Sequence, residues 1–218
     1  MTDKKIQIFN TDISDSPIVI LHCYGDEGEN VYRAVKEITD TDFSLAVVSG
    51  LDWNKDMSPW EAKAVFKGEK DFEGGAGDYI KELEESLLPN ILGKLDGKPS
   101  ALYIAGYSMA GLFALYTMYK TKIFDGAASC SGSLWYPDLT EYAEANEIRQ
   151  DARIYLSLGD KESHTRNPVM ATVEDNTRAL YEKYLSEGAD TVFEMNQGNH
   201  FTEPDKRTAK GIAWLIGG

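Results

Sequence analysis

Residues 102–117 read LYIAGYSMAGLFALYT. The run Leu102-Tyr103-Ile104-Ala105 has strand character, Gly106-Tyr107-Ser108-Met109-Ala110-Gly111 reads as a turn, and residues 112–118 form an apolar helical run. A strand that passes through so tight a turn into a helix commits the chain to a β–α unit. The small residues around Ser108 have a steric cause. The turn holds the serine at an unfavourable backbone angle and brings the strand end against the helix start, where bulk would clash. The same geometry lifts a serine hydroxyl clear of the backbone, as in a nucleophile elbow. It also aims the first helical N–H groups, beginning with Met109, at an oxygen that turns negative during attack. Ala110 holds the last position of the G-x-S-x-G pattern, with Gly111 behind it, and alanine is small enough for the same approach.

The alternation extends along the chain. Residues 5–9 read as a short edge strand; 17–22 (PIVILH), 43–48 (FSLAVV), 102–105, 124–129, 153–158 (RIYLSL) and 191–195 (TVFEM) read as further strands. Helical spacing is expected over 31–38, over 79–95 with a perturbation at Pro89, and over 109–118, 139–148, 169–184 and 208–216. Residues 50–77, with Trp53, Trp60, Phe66 and Phe72, read as a long irregular loop, of the kind that is functional or wraps a core. Continuous apolar strands joined by helical crossovers predict an α/β fold: a mostly parallel sheet with helices on both faces. With 218 residues and no low-complexity linker, the expectation is one domain over residues 1–218.

Composition narrows the partners. A formal net charge of −14 disfavours nucleic acid and anionic membrane surfaces. No run of about 18 apolar residues predicts a membrane span. The opening Met1-Thr2-Asp3-Lys4-Lys5-Ile6 lacks the apolar stretch of an export signal, and Cys23 and Cys130 make no disulfide framework, so a cytoplasmic location with two free thiols is expected. Neither a Cys/His metal spacing nor a phosphate-binding glycine loop is present, and Gly74-Gly75-Ala76-Gly77 reads as a loop leading into a helix. No cofactor or metal is expected.

A serine hydroxyl needs a base within hydrogen-bond reach, and the base needs an orienting group. In a parallel sheet such groups gather at the carboxyl ends of the strands. Ser108 follows one strand there, Asp160 and Glu162 a later one, and His200 the last. His200 is the expected base; His164 lies awkwardly close to the candidate acids, and His22 is expected to fix the neighbouring loop by hydrogen bonding. Either Asp160 or Glu162 could orient the histidine. The order serine, acid, histidine is that of α/β-hydrolases. A second oxyanion donor is expected from the loop His22-Cys23-Tyr24-Gly25, on the Tyr24 N–H, although the Tyr24 ring equally suits a pocket wall.

These residues resemble the putative esterase family of α/β-hydrolases, which includes esterase D, feruloyl esterases and enterochelin esterases. The resemblance runs from about Ile18 to Trp214. It rests on Gly106 to Gly111, Ser131-Gly132-Ser133-Leu134-Trp135, Gly159-Asp160-Lys161-Glu162 and Gly198-Asn199-His200. It implies an α/β-hydrolase fold without a large lid, and hydrolysis of a small-molecule carboxylic ester through an acyl-enzyme, with no cofactor. It implies Glu162, three residues past Gly159, as the orienting acid, with Asp160 as the alternative. Tyr107, Trp135 and Trp60 are expected to line the substrate site. The basic cluster of siderophore esterases has no counterpart here, so a siderophore substrate is not carried over. The rival readings are a non-catalytic binding module on the same fold and a thioesterase or peptidase with the same residues.

Overall fold

The computed structural model describes residues 4–12 and 15–217. The first three residues, part of the stretch read for an export signal, lie outside them. In chain order the elements are β1 (Lys5–Phe9), β2 (Ile18–His22), α1 (Gly28–Ile38), β3 (Ser44–Ser49), α2 (Trp53–Asp56), β4 (Glu61–Ala62), β5 (Phe72–Glu73) and α3 (Ala76–Glu82). A π-helical turn (Leu83–Leu87) leads into α4 (Leu88–Leu92), then β6 (Leu102–Tyr107), α5 (Met109–Lys120), β7 (Gly126–Cys130), α6 (Leu139–Glu144) and β8 (Arg153–Gly159). α7 (Val173–Ser186), β9 (Asp190–Asn196) and α8 (Pro204–Ile216) complete the order.

Seven strands form one sheet in the order β1-β3-β2-β6-β7-β8-β9. All neighbours pair parallel except the edge strand β1, which is antiparallel to β3. The apolar runs are continuous because both faces are covered. Alternate residues of β2 and β3, such as Ile18, Ile20, Ala46 and Val48, join the core under α3, α4, α5 and α7. Their neighbours Val19, Leu21, Leu45 and Val47 pack with Val31 and Val35 of α1 and with Ile212 and Leu215 of α8. α5 is buried from Met109 to Met118, as a helix apolar on every side must be. Cys23 and Cys130 are buried and free. Among the described residues no helix is long and apolar enough to cross a membrane.

Two expectations are revised. Residues 50–77 are not wholly irregular: they hold α2 and the β4–β5 hairpin. Asp52 caps α2, accepting from the Lys55 N–H at 3.3 Å, and Asn54 reaches the Lys70 carbonyl at 3.0 Å. Elements this short leave no periodic signature. The helix expected over 79–95 begins at Ala76 and widens into the π turn just before Pro89. Proline has no N–H to donate and its ring crowds the carbonyl four residues back, so the wider turn accommodates it.

The β6–α5 junction shows why Gly106 is glycine. A Cβ there would lie 2.4 Å from the Ala110 carbonyl carbon and oxygen. Gly77, in the first turn of α3, has open space within 4 Å. Gly106→Ala is therefore expected to cost about 2–3 kcal/mol by overpacking, whereas Gly77→Ala gains about 0.5–1 kcal/mol by restricting the unfolded chain. Urea unfolding midpoints of the two variants check both signs.

Candidate active site

Ser108 sits between β6 and α5 with φ 58° and ψ −123°. Its N–H donates to the Cys130 carbonyl (3.2 Å), and its carbonyl accepts from the N–H groups of Gly111, Leu112 and Ser133 at 3.0–3.1 Å. The chain after β7 thus braces the turn, and Ser133 Oγ lies 3.3 Å from Ser108 Oγ.

His200, in the loop after β9, reaches the same point. Its Nδ1 lies 2.7 Å from Glu162 Oε2 and its Nε2 lies 3.1 Å from Ser108 Oγ. An ionised carboxylate only accepts, so Nδ1 carries the proton and donates to Glu162. In the neutral ring Nε2 is then left to accept from the serine hydroxyl. Tyr107 donates its hydroxyl to the His200 carbonyl at 2.6 Å, which fixes the loop. Burial pushes the Tyr107 phenol up to about 12, so it remains a donor.

Glu162 and Asp160 separate cleanly. Glu162 Oε1 accepts from the Gly159 N–H (2.7 Å) and from Arg207 Nη1 (3.0 Å), while Oε2 faces His200. Burial pushes the Glu162 carboxyl up, but the bond from His200, the charge of that ring and bonds from Ser131 and Gly159 outweigh it and hold the group below its ordinary value. Asp160 is exposed and accepts from the Gly198 N–H at 2.8 Å, clamping the two loops. His164 is exposed as well.

Beside Ser108 and His200 opens a cavity of about 320 Å³. Tyr107 and Tyr24 line it, as do Leu21, Val31, Trp53 and Phe201. Among the described residues, the Met109 and Tyr24 N–H groups have no protein acceptor. Trp60 and Trp135 stand elsewhere. Trp60 donates its indole N–H to the Pro137 carbonyl (3.0 Å) and packs on Tyr116, Tyr136 and Tyr142. Trp135 is buried against Phe72 and Tyr136. Both rings anchor the 50–77 segment on the far face of the sheet instead of lining the cavity. Of the aromatic residues of the 50–77 segment it is Trp53, on α2, that enters the cavity; the sequence reading missed Arg207.

The putative esterase family model matches residues 24–204. The chain belongs to this family. Its sheet and helices superpose on solved structures of low identity, which fixes the esterase fold with no large insertion. A siderophore hydrolase, EstA, from Aspergillus nidulans gives a TM-score of 0.75 at 16% identity, over 98% of this chain and 90% of that one. An IroE-like serine hydrolase from Shewanella oneidensis gives 0.73 at 18%, over 93% and 70%. The BES protein from Bacillus cereus gives 0.72 at 19%, over 98% and 90%. A search of curated protein sequences finds no match.

His22 ends β2 with 2% exposure, but its partner lies on α3, not in the neighbouring loop: Nε2 is 3.0 Å from the Tyr79 hydroxyl, and Phe113 packs edge-on at 5.0 Å. Burial pushes this imidazole down to about 3. The unfolded chain takes up a proton below about pH 6.5 and the folded chain does not until about pH 3, so stability falls with pH across that window. Between pH 6 and 5, above most carboxylate titration, His22 is expected to remove about 1 kcal/mol of stability. Unfolding midpoints of wild type and His22→Gln across that interval check it: the variant should show a flatter slope, whatever its stability at pH 7.

Proposed function

We propose that this esterase-family protein is a serine carboxylesterase that cleaves small esters with short-chain or aromatic acyl groups. The observation that carries the reading is the continuous hydrogen-bonded chain from Ser108 through His200 to Glu162 at the mouth of an apolar cavity. In the proposed reaction His200 Nε2 takes the hydroxyl proton as Ser108 Oγ attacks the ester carbonyl carbon. The tetrahedral oxyanion is stabilised by the N–H of Met109, at the start of α5, and that of Tyr24. Glu162 stabilises the imidazolium that forms. The proton passes to the departing alcohol, leaving acyl-Ser108, and water activated by His200 repeats the sequence to release the acid.

Cavity size and charge support the substrate class. A space of about 320 Å³ suits a short or aromatic acyl chain. The residues between β7 and β8 add only the short α6, so nothing there covers the site. Glu27 and Asp205 line the cavity, and among the described residues no lysine or arginine does. Burial raises Asp205 above the ordinary carboxylate value, and Glu27 adds to the rise. Such a wall disfavours anionic esters, which is why the siderophores named for the structural neighbours are not carried over.

A fluorophosphonate probe is expected to label Ser108 and no other residue; absence of labelling would favour the non-catalytic module. Ser108→Ala should lower kcat by roughly 10³-fold or more. Glu162→Gln should cost about 10³- to 10⁴-fold in kcat at nearly constant KM, as in other triads, while Asp160→Asn costs less than about tenfold. The opposite order would transfer the orienting role to Asp160. Acetate and benzoate esters should outrun long-chain esters in kcat/KM, and a steep long-chain preference would contradict the cavity argument.

A further inference from the structure

One buried cation underlies the site. Arg207, in the first turn of α8, has 2% exposure. Its Nη1 donates to Glu162 Oε1 (3.0 Å) and Ser131 Oγ (3.1 Å) and lies 3.4 Å from the Tyr107 hydroxyl; its Nη2 donates to the Gln197 carbonyl (3.0 Å). Tyr107 ends β6, Ser131 follows β7, Glu162 lies three residues past β8, and Gln197 follows β9. A single guanidinium therefore touches the carboxyl end of each of four adjacent parallel strands. Gly159 makes room for it: a Cβ there would come within 3.0 Å of both terminal nitrogens. A planar fork of donors suits this junction, and a lysine ammonium could not span it.

Two consequences bear on the chemistry. The first is geometric. Arg207 and the Gly159 N–H hold one Glu162 oxygen, so the other is locked toward His200 Nδ1. Through Tyr107, which donates to the His200 carbonyl, the same cation also steadies the loop that carries the base. The second is electrostatic. A buried carboxylate whose only partner was the histidine would favour the imidazolium and leave less neutral base. A fixed positive charge on the far oxygen offsets that pull. Other titratable groups nearby are Glu203 at the start of α8, Asp160 in the loop after β8, and Glu27 and Asp205 across the cavity.

We propose that Arg207 is a positioning residue of the esterase site, which fixes the Glu162 carboxylate toward His200 and sets a permanent positive charge against its far oxygen. The inference rests on the reading of Ser108, His200 and Glu162 given above. Arg207 does not line the cavity, so substrate affinity is outside its reach.

The test measures kcat and KM for p-nitrophenyl acetate from pH 5 to 9, per active site titrated by the fluorophosphonate, in wild type, Arg207→Met, Arg207→Lys and Glu162→Gln. Arg207→Met should lose about 10²-fold in kcat with KM within about threefold, and the acidic limb of its profile should move up by about half a unit or more. Arg207→Lys should restore the limb, because the charge returns, but recover kcat only partly, because one ammonium cannot hold four loops. Wild-type turnover per titrated site with an unmoved limb in Arg207→Met would overturn the proposal, whatever the change in melting temperature. If Arg207→Met does not fold, Arg207→Lys decides: reduced kcat at constant KM supports the role, and wild-type kcat overturns it. Loss of activity in Glu162→Gln with full activity in both Arg207 variants would refute the Arg207 role alone. Full activity in Glu162→Gln would refute the underlying reading.

Discussion

Everything at the carboxyl edge of the sheet depends on the backbone of Ser108. A side-chain-bearing residue at φ 58°, ψ −123° stores strain on the order of 1–3 kcal/mol. Such strain persists only where the surroundings leave no alternative. Here the Ser108 N–H is tied to β7, and its carbonyl is shared by two helical N–H groups and by Ser133. Relaxing the turn would break bonds to three separate segments. The strain is the means by which a strand ends, a helix begins, and a hydroxyl stands free between them.

Parallel topology does the remaining positioning. β6, β7, β8 and β9 lie side by side in register, so the loops that follow them open at one level. Ser133 and His200, 25 and 92 positions away in sequence from Ser108, are thereby brought within reach of its hydroxyl, without any local sequence signal linking them. The bond that Asp160 accepts from the Gly198 N–H and the Arg207 junction then convert four adjacent loops into one rigid patch. Hydrogen-bonded side chains on mobile loops would spend much of their time out of geometry; rigid neighbours remove that loss.

What could be read from the sequence divides along the same line. The buried strands were legible because both faces are covered and every residue of Ile18–His22 must be small or apolar enough to bury. The turn at Ser108 was legible because it imposes steric demands at fixed offsets, and His200 as a loop residue after the last strand; position alone left Asp160 and Glu162 level, since both follow the same strand end. The Trp60 and Trp135 placements were not legible. Aromatic content says that a ring will be buried, not against which partner; Trp60 packed on Tyr142 of α6, and Trp135 on Phe72 of the 50–77 segment. Arg207 left no signal at all: its partners come from four loops that only the tertiary fold assembles.

The first turn of α8 joins the two halves of the site. Pro204, Asp205 and Thr208 line the cavity, and Arg207, turned roughly 60° to 160° from them on the helix, faces Glu162. The cavity wall and the cation that bonds Glu162 are thus carried by one rigid element. α8 is in turn fixed by packing on α1 and on the sheet through Ile212 and Leu215. A shift of this helix cannot reshape the cavity without also disturbing the carboxylate. A change of cavity shape is therefore easier to accommodate at Tyr24, which lines the cavity from the loop after β2, is 76% exposed and packs edge-on against Trp53.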